Sequence, residues 1–429
     1  MRVMGSNTSS TRNGAAPSAN AVNKQQRPWP LLGAIAAASI LAACATTPAG
    51  PSGPGQPDAQ GPTGPQTPEP PRTRAGLTPP FMANRDVVRV GILLPFSSRP
   101  DEAAALYNAA ELALFQEGNQ NMLLIPRDSG GGEPEAEAAA RTLIADGVDV
   151  IIGPVTRDGV AAAGGVARRE RIPLIGLSSD RTVAAEGVYL LSFQLEDEVA
   201  RIVDFAVQRG IRSFAVMAPD NEYGRRVSEA LRAETARRGA VVAGEQVYPR
   251  DIGQATAAAE RLAQQTQGAG VQAVLIADSG SVLRAAAAGL SRVGLGQPNV
   301  RLLGTSVWAG ADLRTEAPLA GGWYVAPDPT VRSGFEQAYR TRYGTDATRL
   351  ASLAFDAVSL AALLSNDAGP SGLSRREIER QEGFLGSDGV FRFRNTGTIE
   401  RGWAVMEVRA RAAPTPIAPA PREFTRPAS

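Results

Sequence analysis

The chain has 429 residues, 44 basic against 43 acidic side chains, and 43% hydrophobic residues. That length holds enough for two domains, and a net charge of +1 gives no basic surplus for nucleic acid. Histidine is absent, which excludes Ser-His-Asp triads, histidine bases and histidine metal sites. The one lysine, Lys24, lies near the N-terminus, so the remaining chain lacks the lysine of P-loop NTPases and of Schiff-base chemistry. The one cysteine, Cys44, leaves no disulfide and no thiolate cluster. Paired carboxylates are not marked by any motif. The expectation is a non-enzyme with no catalytic residue, metal or cofactor.

In chain order, the first segment is a leader. Arg2, Arg12, Lys24 and Arg27 precede the apolar run 31–43 with no acidic residue between them. The run is too short to span a bilayer, which takes ~20 apolar residues. It has the length of a signal-peptide apolar region followed by small residues. Leu41-Ala42-Ala43-Cys44 resembles the bacterial lipobox. That resemblance implies residues 1–43 as a signal peptide and Cys44 as the lipidated residue of a periplasmic, membrane-anchored protein. Ala45 after the cysteine favours the outer membrane. Residues 44–85, with "PAGPSGPGQPDAQGPTGPQTPEPP", cannot bury a core and read as an extended tether. A second Pro-rich stretch, residues 411–429, reads as a disordered tail.

Between these stretches strands and helices alternate. Strand patterns fall at "VVRVGILLPF" (87–96), "NMLLIPRD" (121–128), "VDVIIGPV" (148–155) and "IPLIGLSS" (172–179). Ala-rich helices are expected at 101–117, 133–146 and 159–171. The second half repeats the theme, with strands at 213–219, 240–248, 273–278, 301–307 and 321–327 and helices at 221–238, 252–265 and 281–293. Residues 331–366 read as helix throughout. "GVFRFRNTGTIERGWAVMEV" (389–408) then reads as a β-hairpin around "NTG". Gly383, Gly386 and Gly389 precede that hairpin rather than a strand-to-helix turn, so they read as turn glycines and not a phosphate loop. Alternation of this kind predicts an α/β protein of two doubly wound parallel-sheet lobes.

Several segments carry a family resemblance. "VRVGILLPFS", "VIIGPVT", "RERIPLIGLSS", "APDNEYGRRV", "FEQAYRTRYGTDATRLASLAFDAVSLAALL" and "GSDGVFRFRNTGTIERGWAVMEV" occur in the order seen in type I periplasmic binding proteins of the leucine/isoleucine/valine-binding family. The resemblance covers about 86–409. It implies lobe 1 as 86–196 plus 328–383 and lobe 2 as 197–327 plus 384–410, with a ligand cleft between them. Ligand-binding positions carried over are Ser97 after the first strand, Thr156 after the Gly-Pro pair, Ser178 and Ser179 at the next strand end, and Tyr223 as a closing aromatic; Trp308, near the lobe 2 strand end, departs from the family's acidic ammonium partner there and is a further candidate. Each has a plainer reading: Thr156 as a helix cap, the serines as a turn with Asp180, and Tyr223 as packing at a helix start.

Two functions follow. The first is a lipid-anchored solute-binding protein that captures an amino acid or similar small polar ligand for an ABC permease or for sensing. The second is regulation of a peptidoglycan synthase. The lipobox, the long tether and "PRDSGGGEPEAEAAARTLIADGVDVIIGP" resemble the lipoprotein activators of penicillin-binding proteins. The helical-repeat domain of those activators has no counterpart here.

Overall fold

The computed structural model describes residues 78–310 and 312–424. The expected leader, Cys44, most of the tether and the last five residues lie outside the described residues.

Lobe 1 is built on a five-stranded parallel sheet of order β2-β1-β3-β4-β5. Its strands are β1 (Val88–Leu94), β2 (Met122–Asp128), β3 (Val150–Ile152), β4 (Leu174–Gly176) and β5 (Val188–Leu190). The helices between the first four are α1 (Pro100–Glu117), α2 (Glu133–Ala145) and α3 (Arg157–Arg169). β1 is buried along its whole length, as a strand covered on both faces must be. Gly153 follows β3 with φ 95°, and a Cβ there would stand 2.0 Å from the Leu93 carbonyl oxygen. Only glycine fits so close to the neighbouring strand.

The chain then crosses to lobe 2 through residues 191–194 and enters α4 (Leu195–Gln208). β6 (Ser213–Pro219), α5 (Glu222–Arg237), β7 (Val241–Tyr248), α6 (Ile252–Gln265), β8 (Ala273–Ile276), α7 (Gly280–Arg292), β9 (Arg301–Gly304) and β10 (Trp323–Ala326) complete the second winding. A second crossing leads back to lobe 1, where α8 (Pro329–Tyr343) and α9 (Ala351–Ser365) pack on α1. The helical stretch expected over 331–366 forms as this pair, divided at Gly344, whose φ of 72° ends α8 in a left-handed cap.

The hairpin divides between the lobes. After the short α10 (Arg375–Ile378), β11 (Phe384–Gly386), β12 (Gly389–Phe393) and β13 (Ile399–Arg401) form a small antiparallel sheet. It packs on lobe 1: Leu190 N donates to Gly397 O at 2.8 Å, and Tyr189 and Phe393 have ring centroids 5.2 Å apart. A third crossing at Gly402 and Trp403 then carries the chain into β14 (Ala404–Glu407), antiparallel to β10. Residues 384–401, expected with lobe 2, thus lie in a separate small sheet against lobe 1, and 404–407 pair with β10. β15 (Thr415–Ala418) pairs with β14, giving lobe 2 the order β15-β14-β10-β9-β8-β6-β7. The stretch expected as a disordered tail therefore includes an edge strand, held by backbone pairing that composition does not reveal.

The described residues form one compact unit. A continuous apolar core runs from α1 and α9 through Phe193 and Trp403, at the crossings, to α4 and α5. Three crossings and one core thus join two lobes that are each separately wound.

Candidate functional site

The carboxyl ends of parallel strands face the gap between the lobes, where open α/β sheets bind ligands. A cavity of about 480 Å³ lies there. Ser178, Ser179 and Asp180 follow β4 on the lobe 1 side, and Glu198, Tyr223 and Arg226 face them from lobe 2. Phe193 of the first crossing and Arg349, just before α9, line the cavity between them. Leu177, Leu195, Leu350 and Leu353 give it an apolar surface.

Local capping explains the lobe 1 side. Ser178 Oγ accepts from Asp180 N at 3.2 Å. Asp180 accepts from the amide and hydroxyl of Thr182 at 2.9 and 2.6 Å and pairs with Arg157 at 3.2 Å. Burial pulls the Asp180 carboxyl up, but the Thr182 donors and Arg157 outweigh it and hold it below the usual carboxylate range. Thr156 is the N-cap of α3, accepting from Gly159 N at 3.2 Å, and it does not line the cavity.

On the lobe 2 side Asn221 caps α5 through Gly224 N at 2.9 Å and so fixes the next helical turn. Tyr223 and Arg226 lie three residues apart on that helix and share a face. The Tyr223 hydroxyl and Thr305 Oγ1 are 2.6 Å apart, and burial pushes the phenol well up. Glu198 is buried. It accepts from Ser306 N at 2.8 Å, from Ser306 Oγ at 2.7 Å and from Arg349 Nη2 at 3.3 Å. Burial raises its carboxyl above the ordinary value, and Arg349 and Ser306 offset only part of that. The Arg349 guanidinium lies 4.6 Å from the Phe193 ring centroid.

Charged contacts tie the lobes together. Arg226 Nη2 donates to Ser179 O at 3.1 Å, and the same side chain pairs with Glu196 at 2.9 Å. Arg181 pairs with Asp197 at 2.8 Å. Arg349 reaches Glu198 from the opposite lobe.

The structure brings Ser178, Ser179 and Tyr223 together in this cavity and leaves out the other expected positions. Ser97 is exposed, with its backbone N–H on Asp128 Oδ1 at 3.2 Å. Trp308 is fully buried in the lobe 2 core, where its Nε1 donates to Ile276 O at 3.2 Å. It stacks on Gly304, where a Cβ would come within 2.2 Å of the indole. Trp308 is therefore a core residue rather than a cleft residue. Sequence reasoning passed over Glu198, Arg226 and Arg349. Arg226 had a local signal in its spacing from Tyr223.

Among the described residues no group of three or more acidic or thiol side chains could hold a metal ion. None of their helices is long and apolar enough to cross a membrane.

Comparison with known proteins places this geometry. Residues 87–413 match the family model described as periplasmic binding protein. No curated protein matches the chain. Among solved structures, a branched chain amino acid ABC transporter periplasmic ligand-binding protein from Burkholderia xenovorans is 17% identical, with a TM-score of 0.61 over 76% of this chain and 91% of that one. An ABC transporter substrate-binding protein from Desulfitobacterium hafniense, in complex with Leu, is 17% identical, with a TM-score of 0.56 over 76% and 98%. A solute binding protein of an ABC transporter from R. palustris, in complex with benzoate, is 17% identical, with a TM-score of 0.55 over 78% and 97%. At these identities the likeness is one of fold.

Proposed function

The chain belongs to the periplasmic binding protein family, and we propose that it is a lipid-anchored solute-binding protein. It captures an amino acid or similar small polar ligand between its lobes and presents it to an ABC permease or a sensor. The family is extracytoplasmic and non-enzymatic. The anchor part of the reading rests on Leu41–Cys44 and on the Pro-rich segment after it, a composition suited to a spacer that lets the lobes stand off a membrane.

One observation carries the ligand part. The interlobe cavity combines serine hydroxyls, guanidinium groups and a buried carboxylate with an apolar surface of leucines and Phe193. Small-ligand sites have this mixture of an apolar body and a few placed polar groups. The two neighbours named with a bound ligand hold Leu and benzoate, both carboxylates. In this chain Ser178, Ser179 and Arg349 are the groups suited to receive a carboxylate, Tyr223 closes over it from lobe 2, and the leucines take the apolar part.

Thermal unfolding against a panel of amino acids, aromatic acids and peptidoglycan fragments tests this. A ligand at 100 times its dissociation constant stabilises the native state by about 2.7 kcal/mol, a readable rise in midpoint. A rise with one chemical class is expected, and it should shrink in Tyr223→Phe. A flat response to the whole panel would overturn ligand capture.

A further inference from the structure

A second cavity, also of about 480 Å³, lies beside the second crossing. Both lobes build it: Ser306, Tyr324 and Met406 come from lobe 2, and Arg332, Glu336 and Arg349 from lobe 1. Pro327 and Pro329 of the crossing frame it, and Ala413 and Pro414 border it just before β15. It is distinct from the cleft but shares Arg349 with it.

Its polar groups are mostly donors. Tyr324 is only 4% exposed, yet its hydroxyl has no hydrogen-bond partner among the described residues. Burial alone pushes that phenol up to about 12, so it holds its proton. The hydroxyl itself is not fully enclosed, and it opens into the cavity whose wall Tyr324 forms. Arg332 donates to Glu336 at 2.7 Å and pairs with the buried Asp388. Arg349 donates to Glu198 and Ser306. Glu336, Asp388 and Glu198 balance the two guanidinium groups, but among the described residues Arg349 is engaged through its Nη2 alone, so its other N–H groups and the Tyr324 phenol are the donors the cavity has to offer. The rest, including Ala309, Ala326, Ala347 and Met406, is apolar.

We propose that this cavity is a second ligand site, for a small organic carboxylate with an apolar body, whose anionic end accepts from the Tyr324 hydroxyl beside Arg349. An occupant there would touch both lobes and the crossing between them. Its binding would be linked reciprocally to the cleft through Arg349.

The test uses the chain with Cys44→Ser and fluorine NMR of 4-fluorobenzoate, with 4-fluorobenzamide as the uncharged control. The acid should bind and the amide should not. Tyr324→Phe, which deletes one oxygen, should weaken the acid about tenfold, the size of a hydrogen bond to a charged group. Ala347→Leu, which fills the cavity from the lobe 1 wall opposite the strand of Tyr324, should weaken it independently. Tyr223→Phe should leave at least one binding event that Tyr324→Phe removes. No binding, equal binding of acid and amide, or binding lost in Tyr223→Phe and kept in Tyr324→Phe would overturn the proposal. The last result would place the anion in the cleft, so the two sites can fail separately.

Discussion

Arg226 of lobe 2 donates across the cleft to the Ser179 carbonyl of lobe 1 at 3.1 Å, while Glu196 holds the same guanidinium at 2.9 Å. A side chain anchored in one lobe therefore reaches the backbone of the other at the mouth of the cavity. Arg226→Ala should loosen closure. The expected result is several-fold weaker ligand binding, about 1 kcal/mol for a partly exposed charged contact, and a larger radius of gyration by small-angle scattering. The unfolding midpoint should change little.

Thr156 separates capping from ligand contact. Its hydroxyl accepts from Gly159 N at the start of α3. Thr156→Ala should cost about 1 kcal/mol of stability, read by urea unfolding, and leave ligand affinity unchanged. A large loss of affinity at unchanged stability would return Thr156 to the ligand.

Asp356 predicts a pH dependence. It is buried on α9, accepting from Ser387 N at 2.6 Å, with Asp388 close by and Arg401 3.8 Å away. Burial first, and then the neighbouring Asp388 charge, raise its carboxyl above the ordinary value, against the pull of Arg401. A raised folded pKa means that the folded state binds the proton more tightly than the unfolded chain. The resulting stability is complete below about pH 4, the unfolded value, and is lost as pH rises through the folded one. Asp356→Asn should flatten urea-unfolding stability between about pH 4 and neutrality, compared with the native chain.

The C-terminal segment should matter to both lobes. β15 covers the β14 edge, Ala420 is buried in lobe 2, and the Phe424 ring lies 4.5 Å from the Arg392 guanidinium of the small lobe 1 sheet. Ending the chain at Ala412 should lower stability by about 2 kcal/mol, a typical cost for losing a few buried contacts. It should also expose an unpaired edge that promotes association. Urea unfolding and light scattering read the two effects.

The alternation of strand and helix patterns made the two windings legible, because each buried strand is a short apolar run bounded by turn residues. β5 and α4 were missed. β5 is three residues long, and α4 opens with Glu196, Asp197 and Glu198, which look like a solvated loop until the helix dipole is considered. Glu198 is buried only because Ser306 and Arg349, 108 and 151 residues away, meet it. No local pattern encodes such a meeting. Trp308 misled because a tryptophan after a strand end suits a cleft as well as a core. Gly304, four residues earlier, was the cue that the indole turns back onto its own strand.

The central claim is that the interlobe cavity captures a small ligand. Isothermal titration of a Cys44→Ser chain with L-leucine and with benzoate, beside Tyr223→Phe and Arg226→Ala, tests it most directly. The account predicts binding of a carboxylate ligand at the cleft, weakened in both variants with the fold intact. Absence of binding, or binding that both variants leave untouched, would contradict it.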